Sequence, residues 1–445
     1  MTFLMILRKV FNASVYKGLS AFDEIIKKPV CRWAAPHSER SSMPDEGTNN
    51  RLWRLPFVTL MIVNLINFIG FGIVMPQIPG FAISLGATIA VAGVVAGLFP
   101  IFALIGRPFA SLLGDRLDKK YLLIVSLALT GVFTMLYAVT PTLLWVVPVR
   151  VIHGLLFSIS GTVAIAYGAG YIPRPRMSEG IGFLGLGNVI GLALGPNIGI
   201  YLVGNFSFQL AFFISGLVIT AAGLFVFTLR DGAATKKANP EEPPPVPEPK
   251  KKLFRLNELI AFELLPSVAF VSMFLIGTSL VNNFLVLTGG ERGIANVGIY
   301  FLVNASVIVL VRSTTGKIID RKGVAFAVLP AFVFMAVGMV IIAWASYLWM
   351  LLLAAIFMGI GSGISLPAIQ ADCIKRLDAS RRAVASGTYF IGLDVGVAIG
   401  PVIGGFIAGA FGFHVTFMSA GIFILSGVIL YPLFNRMPKK ELSNE

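Results

Sequence analysis

Apolar residues fill long blocks along this chain, each closed by a few polar or charged positions. Inside the blocks there is neither the two-residue alternation of a half-buried strand nor the polar stripe of a surface helix. A helix that is apolar on every side lies in lipid or inside protein, and crossing a bilayer takes roughly 20 such residues. The pattern predicts twelve spans, near 55–79, 88–113, 121–139, 143–170, 179–203, 207–229, 258–287, 295–318, 324–344, 347–372, 383–409 and 412–434. The fold class expected is an all-α membrane protein.

The longest polar break, 230–257, holds Lys236, Lys237, Glu241, Glu242, a proline run and Lys250 to Lys252. That is the make-up of a solvated linker. It divides the chain into an N-terminal tail (1–54), a six-helix half (55–229), the linker, a second six-helix half (258–436) and a short tail (437–445). The stretch from Thr2 to Leu7 is too short for a signal peptide. Residues 1–42 read either as an interfacial tail or as an over-extended gene start, with Met43 the initiator.

Composition agrees with this division. Of 445 residues, 56% are hydrophobic and 13% charged, more apolar surface than a soluble chain of this length can bury. A net charge of +14 would, in a soluble protein, point to nucleic acid. The placement of the charges says otherwise. With residue 54 inside the cell, the segments on that side after the first span hold 21 Lys and Arg, whereas the opposite loops hold one, Arg292. This is the positive-inside distribution of a plasma or inner membrane protein, here with both termini cytoplasmic. No nucleic-acid partner is expected. Cys31 and Cys373 lie far apart, and His37, His153 and His414 form no cluster, so no metal or cofactor is expected. The chain carries no nucleotide-binding loop and no His-Glu-x-x-His site, which argues against an enzyme.

The same motifs occur once in each half. Arg107-Pro-Phe-Ala-Ser111-Leu-Leu-Gly-Asp115-Arg116 closes the second span, and Arg312-Ser-Thr-Thr-Gly316-Lys-Ile-Ile-Asp320-Arg321 closes the eighth. Gly191-Leu-Ala-Leu-Gly195-Pro196-Asn-Ile-Gly199 lies in the fifth, and Gly396-Val-Ala-Ile-Gly400-Pro401-Val-Ile-Gly404 in the eleventh. Asp115 precedes Gly195 by the same 80 residues that separate Asp320 from Gly400. Two motifs in one order at one separation mark a duplicated six-helix unit.

On these residues the chain resembles the major facilitator superfamily over residues 55–436, and within it the twelve-helix drug and metallophore exporters. Arg150-Val-Ile-His153-Gly154 is similar to that family's fourth-helix motif. Gly293-Ile-Ala-Asn296 before the eighth span adds to the likeness. The first loop departs from the pattern, with Ser111 and Asp118 where the family has glycine. The resemblance implies two pseudo-symmetric six-helix halves working by alternating access.

Candidate chemistry follows. Asp115 is expected to face the start of the eleventh span and Asp320 the start of the fifth, where helix N-termini favour a carboxylate by about 0.3–1 kcal/mol. Arg107 and Arg312 would hold those carboxylates, and Arg116 and Arg321 would add contacts, together forming a cytoplasmic gate locked in the outward-facing state. Gly191, Gly195 and Gly199, with Gly396, Gly400 and Gly404, form one smooth stripe per helix. Pro196 and Pro401 would bend those helices, and either tight packing or a hinge between halves would use them.

Asp394 lies two positions from Gly392 and Gly396, about 200° and 160° around the helix, and so points away from the stripe. A carboxylate at the bilayer centre costs about 2.5–3.5 kcal/mol, so it must be paired, hydrated or protonated. That suits either a proton carrier or a polar clamp between helices. Arg150 reads as its matching cation, and the resemblance implies a part for it in proton coupling. His153 reads as a relay or a structural donor. The first span carries no acid, only Asn64 and Asn67. With Gln77, Asn282, Asn283, Asn304 and Gln370 these are candidates either for lining a substrate cavity or for interhelical hydrogen bonds. The reading is a monomeric secondary transporter exporting an amphiphilic small molecule against proton entry. Uptake of a sugar or organic acid, and a membrane receptor or sensor, are the alternatives.

Overall fold

The computed structural model describes residues 52–173, 176–229, 261–377 and 381–434. The tails and the linker lie outside the described residues, as do the side chains of Asp115, Gly316, Asp320 and Arg321. The described chain is helical throughout its regular structure. In the first half, α1 runs Leu55–Ser84, α2 Ile89–Arg116, α3 Lys119–Leu136, α4 Leu143–Ala169, α5 Met177–Asn205 and α6 Phe208–Phe225. In the second, α7 runs Leu265–Glu291, α8 Ile299–Lys322, α9 Val324–Trp344 and α10 Leu348–Arg376. The continuous stretch Arg382–Phe434 is broken at Gly412, whose φ of 79° leaves the helical region, giving α11 (382–411) and α12 (413–434). Glycine reaches that conformation without the penalty a Cβ would bring.

These are the twelve expected spans. Ten stretches are long and apolar enough to cross a membrane, the last of them holding both α11 and α12. The remaining one, α8, is apolar over Ile299–Arg312 and polar in its final turns. Large apolar side chains such as Leu144, Leu310 and Ile429 are largely exposed on the outside, as lipid contact requires.

Local chemistry fixes the helix ends. Thr88 caps α2 and Ser207 caps α6. Asp118 accepts hydrogen bonds from the Lys120 and Tyr121 amides at the start of α3. The residue that breaks the family's glycine pattern therefore serves as an N-cap, a role worth about 1 kcal/mol. Arg292, the lone cation of the opposite loops, donates to the Ile342, Ala343 and Ala345 carbonyls at 2.7–2.8 Å, closing the end of α9.

The halves repeat each other in packing. α1 lies on α5, α2 on α4 and α3 on α6; correspondingly α7 lies on α11, α8 on α10 and α9 on α12. Each half has its own apolar core, the second centred on Phe270, Phe274 and Phe332. The halves meet mainly where α2 crosses α11, and also where α5 meets α8.

Candidate functional site

The seam between α2 and α11 begins at the ends remote from the basic segments. There Gly93 lies against Pro401 and Gly405, so closely that a Cβ on Gly405 would stand 2.8 Å from the Gly93 Cα. One turn on, Gly97 lies against Ala398 and Val402. Backbones this close are possible only without side chains between them. Further toward the basic face, the same seam brings Arg107 to Asp394. The guanidinium grips the carboxylate with both forks, Nε on Oδ2 and Nη2 on Oδ1, the latter at 2.8 Å. Asp394 is 14% exposed and Arg107 45%, so the pair has one foot in the seam and one in open space. Bidentate Arg–carboxylate contacts are among the stronger hydrogen-bonded pairs.

One expectation is corrected here. Asp394 was assigned to Arg150; instead it pairs with Arg107 across the halves. The expected contact of Arg107 with Asp115 involves a side chain outside the described residues. Helical periodicity told which face each residue occupies, but not which helix stands opposite.

Arg150 is 1% exposed and meets no carboxylate among the described residues. Its Nε donates to the Val95 carbonyl at 3.2 Å and its Nη2 to the Ala96 carbonyl at 2.9 Å. The guanidinium also sits 4.9 Å from the Phe99 ring centre. Pro100 explains the arrangement. Lacking an N–H, it cannot bond the carbonyl four residues back, which is that of Ala96. Arg150 supplies the missing donor. His153 lies one turn on, with Nδ1 3.1 Å from the Tyr137 hydroxyl and Nε2 3.3 Å from that of Thr134. Both partners are uncharged hydroxyls of the first half.

A similar repair occurs in the second half. Pro401 frees the carbonyl of Val397, and the Ser279 hydroxyl donates to it at 2.9 Å. The glycine stripes themselves face inward. Gly191, Gly195 and Gly199 pack on Phe68, Gly72 and Ile73 of α1, beside Pro196; Gly396, Gly400 and Gly404 pack on Ser272, Ile276 and Leu280 of α7. The stripes join helices of one half, so the expectation of a hinge between halves is not met by them. Gly93, Gly97 and Gly405 make the close inter-half approach. The Gly93-x-x-x-Gly97 spacing was the signal available for finding it.

The polar candidates separate into groups. Asn64 donates to the Leu184 carbonyl and the Asn188 side chain, joining α1 to α5. Asn67, Gln77 and Asn283 are buried, each with one polar atom left without a partner. Asn282 and Asn304 line a crevice of about 10 Å³, room for a single water at most. Gln370 differs. With Arg312, Thr315 and Tyr389 it lines a cavity of about 450 Å³ between α8, α10 and α11. Arg116 is exposed in the last turn of α2, where a cation suits the helix dipole.

A duplicated twelve-helix body with a charged pair across its seam calls for comparison with known proteins. The model of the Major Facilitator Superfamily matches residues 60–371 and 297–445. The chain belongs to that superfamily. An MFS-type transporter of Methanocaldococcus jannaschii is 25% identical over 390 residues, covering 85% of this chain and 96% of the relative. The multidrug resistance protein MdtG of Salmonella paratyphi C is 24% identical over 396 residues, covering 84% and 93%. Among solved structures, a bacterial homolog of the human lysosomal transporter Spinster shares the fold with a TM-score of 0.73 at 16% identity, covering 86% of this chain and 96% of that one. The nucleoside transporter NupG does so at 0.72 and 15%, covering 86% and 100%. As a member of the superfamily the chain is a multi-pass membrane transporter.

Proposed function

We propose that this transporter exports amphiphilic small molecules from the cell, driven by protons that enter through the Arg107–Asp394 pair. The observation that carries the reading is that pair: a bidentate contact between the two halves, at membrane depth, on the seam where they are most closely packed. Asp394 lies well inside α11, so its charge is expensive without Arg107. A proton arriving on the carboxyl supplies the charge balance instead. The neutral acid grips the guanidinium less well, and the seam loses about 1–2 kcal/mol, discounted for the half-exposed arginine. That changes the balance between two arrangements of the halves about five- to thirtyfold. Loss of the proton on the other side restores the pair. The gate residues Asp115, Arg116, Arg312, Asp320 and Arg321 would bias the same equilibrium from the basic face.

Export is supported by the printed name of the MdtG relatives and by the Gly-Pro segments of α5 and α11. The charge distribution supports cytoplasmic termini in a plasma or inner membrane. The chain is proposed to act as a monomer, with substrate, protons and lipid as its partners. The test uses everted vesicles carrying the protein, an imposed inward-acid gradient, and a panel of fluorescent amphiphilic drugs of both charge signs. Gradient-dependent accumulation of at least one drug above empty vesicles is expected. Gradient-independent equilibration across the whole panel would refute proton-coupled export.

A further inference from the structure

The repeat that pairs Arg107 with Asp394 leaves its own counterpart unbalanced. Sliding the first half onto the second by the motif register carries Arg107 onto Arg312, Gly93 onto Gly298, and Val402 back onto Asn197. The packing follows this register to within a residue. Gly298, just before α8, lies directly against Asn197 of α5, as Gly93 lies against Pro401, the neighbour of Val402, in α11. In the same register the position of Asp394 falls on Val189. The first seam has an arginine facing an acid; the second has an arginine and a valine. Arg312 forms no ion pair among the described residues.

Arg312 instead opens onto the cavity of about 450 Å³ between α8, α10 and α11, and it is the charged residue among the described residues that line it. It stands ten residues before the end of α8, so about 15 Å along the helix from the basic end. Arg312 is exposed and stands where the apolar part of α8 ends, and among the described residues no carboxylate faces it, so its fork is open to an anion entering the cavity. The surroundings suit one. Gln370 offers a side-chain amide with no internal partner among the described residues. The Tyr389 hydroxyl spends its one proton on the Leu366 carbonyl at 3.0 Å, so the donors left for an anion are those of Arg312 and Gln370. Leu366, Phe390 and Leu393 give the rest of the wall an apolar surface.

We propose that this cavity is the cargo site and that its cargo bears a carboxylate or similar planar anion, held by the Arg312 fork, on an apolar body that packs against α10 and α11. The cargo anion then takes the place in the second seam that Asp394 holds in the first. This deepens the carrier reading and rests on it for the route by which cargo arrives.

The test reads binding without any gradient, so it stands apart from transport. The full chain is reconstituted in phosphatidylcholine nanodiscs near neutral pH, and 1-naphthoate and 1-naphthamide, alike but for the charge, are titrated by calorimetry. Naphthoate is expected to bind wild type at least tenfold more tightly than naphthamide. Arg312→Gln should erase that preference, and Arg312→Lys, which keeps the charge but not the fork, should retain part of it. Equal binding of the two probes to wild type would overturn the proposal whatever the variants do, as would a tenfold preference that survives in Arg312→Gln. If Arg312→Gln does not fold, an undiminished preference in Arg312→Lys would overturn the role given to the fork. Anion-selective binding without gradient-driven transport would sink proton-coupled export and leave this site standing. Transport with no charge preference in binding would do the reverse.

Discussion

Replacing Arg150 by methionine removes two donors from a wholly buried place. The Ala96 carbonyl is then without a partner, because Pro100 cannot supply one. An orphaned buried carbonyl costs about 1–3 kcal/mol. Loss of the guanidinium from the Phe99 face adds about 0.5–2 kcal/mol. Interhelical hydrogen bonds in membranes measure about 0.6 and at most about 1.7 kcal/mol, which favours the lower end of the first range. Arg150→Met should therefore destabilise the fold by about 2–3 kcal/mol. Pro100→Ala returns an N–H to the Ala96 carbonyl. In that background the cost of Arg150→Met should fall by about 1–2 kcal/mol, the coupling of two neighbours sharing one carbonyl. The assay is reversible unfolding of the purified protein in mixed micelles of increasing denaturing detergent, with all four members of the cycle. Additivity within about 0.3 kcal/mol would refute the argument that Arg150 serves the Pro100 break. A stable Arg150→Met protein that has lost gradient-driven transport would return Arg150 to proton coupling.

Two further outcomes are expected from the same structure. Arg292→Ala should lower stability by about 1–3 kcal/mol in the same unfolding assay, since three carbonyls at the end of α9 lose their donor. Gly93→Val should hold α2 away from α11, because its side chain would meet the backbone of Pro401 and Gly405. Initial transport rates should drop at least tenfold while each half keeps its packing, which is checked by protease protection in vesicles.

Much of the architecture was legible because apolar run length and the duplication are both one-dimensional signals. Twelve spans, the division near residue 230, and the positive-inside distribution need only the order of residues. What the sequence hid was choice of partner. Asp394 was correctly read as turned away from its glycine stripe, yet periodicity could not say that α2 stands opposite. Arg150 was read as a coupling charge from the family resemblance, and the carbonyl freed by Pro100 lies 54 residues away in sequence from its donor. The glycine stripes were legible as packing surfaces, but not as surfaces internal to a half. Asp118, a departure from the family pattern, was legible in retrospect as an N-cap, since Asp immediately before a helix start is that signal.

The account turns on whether Asp394 carries the proton. Asp394→Asn keeps the size and much of the hydrogen bonding of the side chain but cannot gain or lose a charge. In everted vesicles at matched expression, it should abolish accumulation driven by an imposed pH gradient while leaving counterflow of labelled drug, which needs only alternating access, within about threefold of wild type. Gradient-driven accumulation by Asp394→Asn equal to wild type would contradict the account.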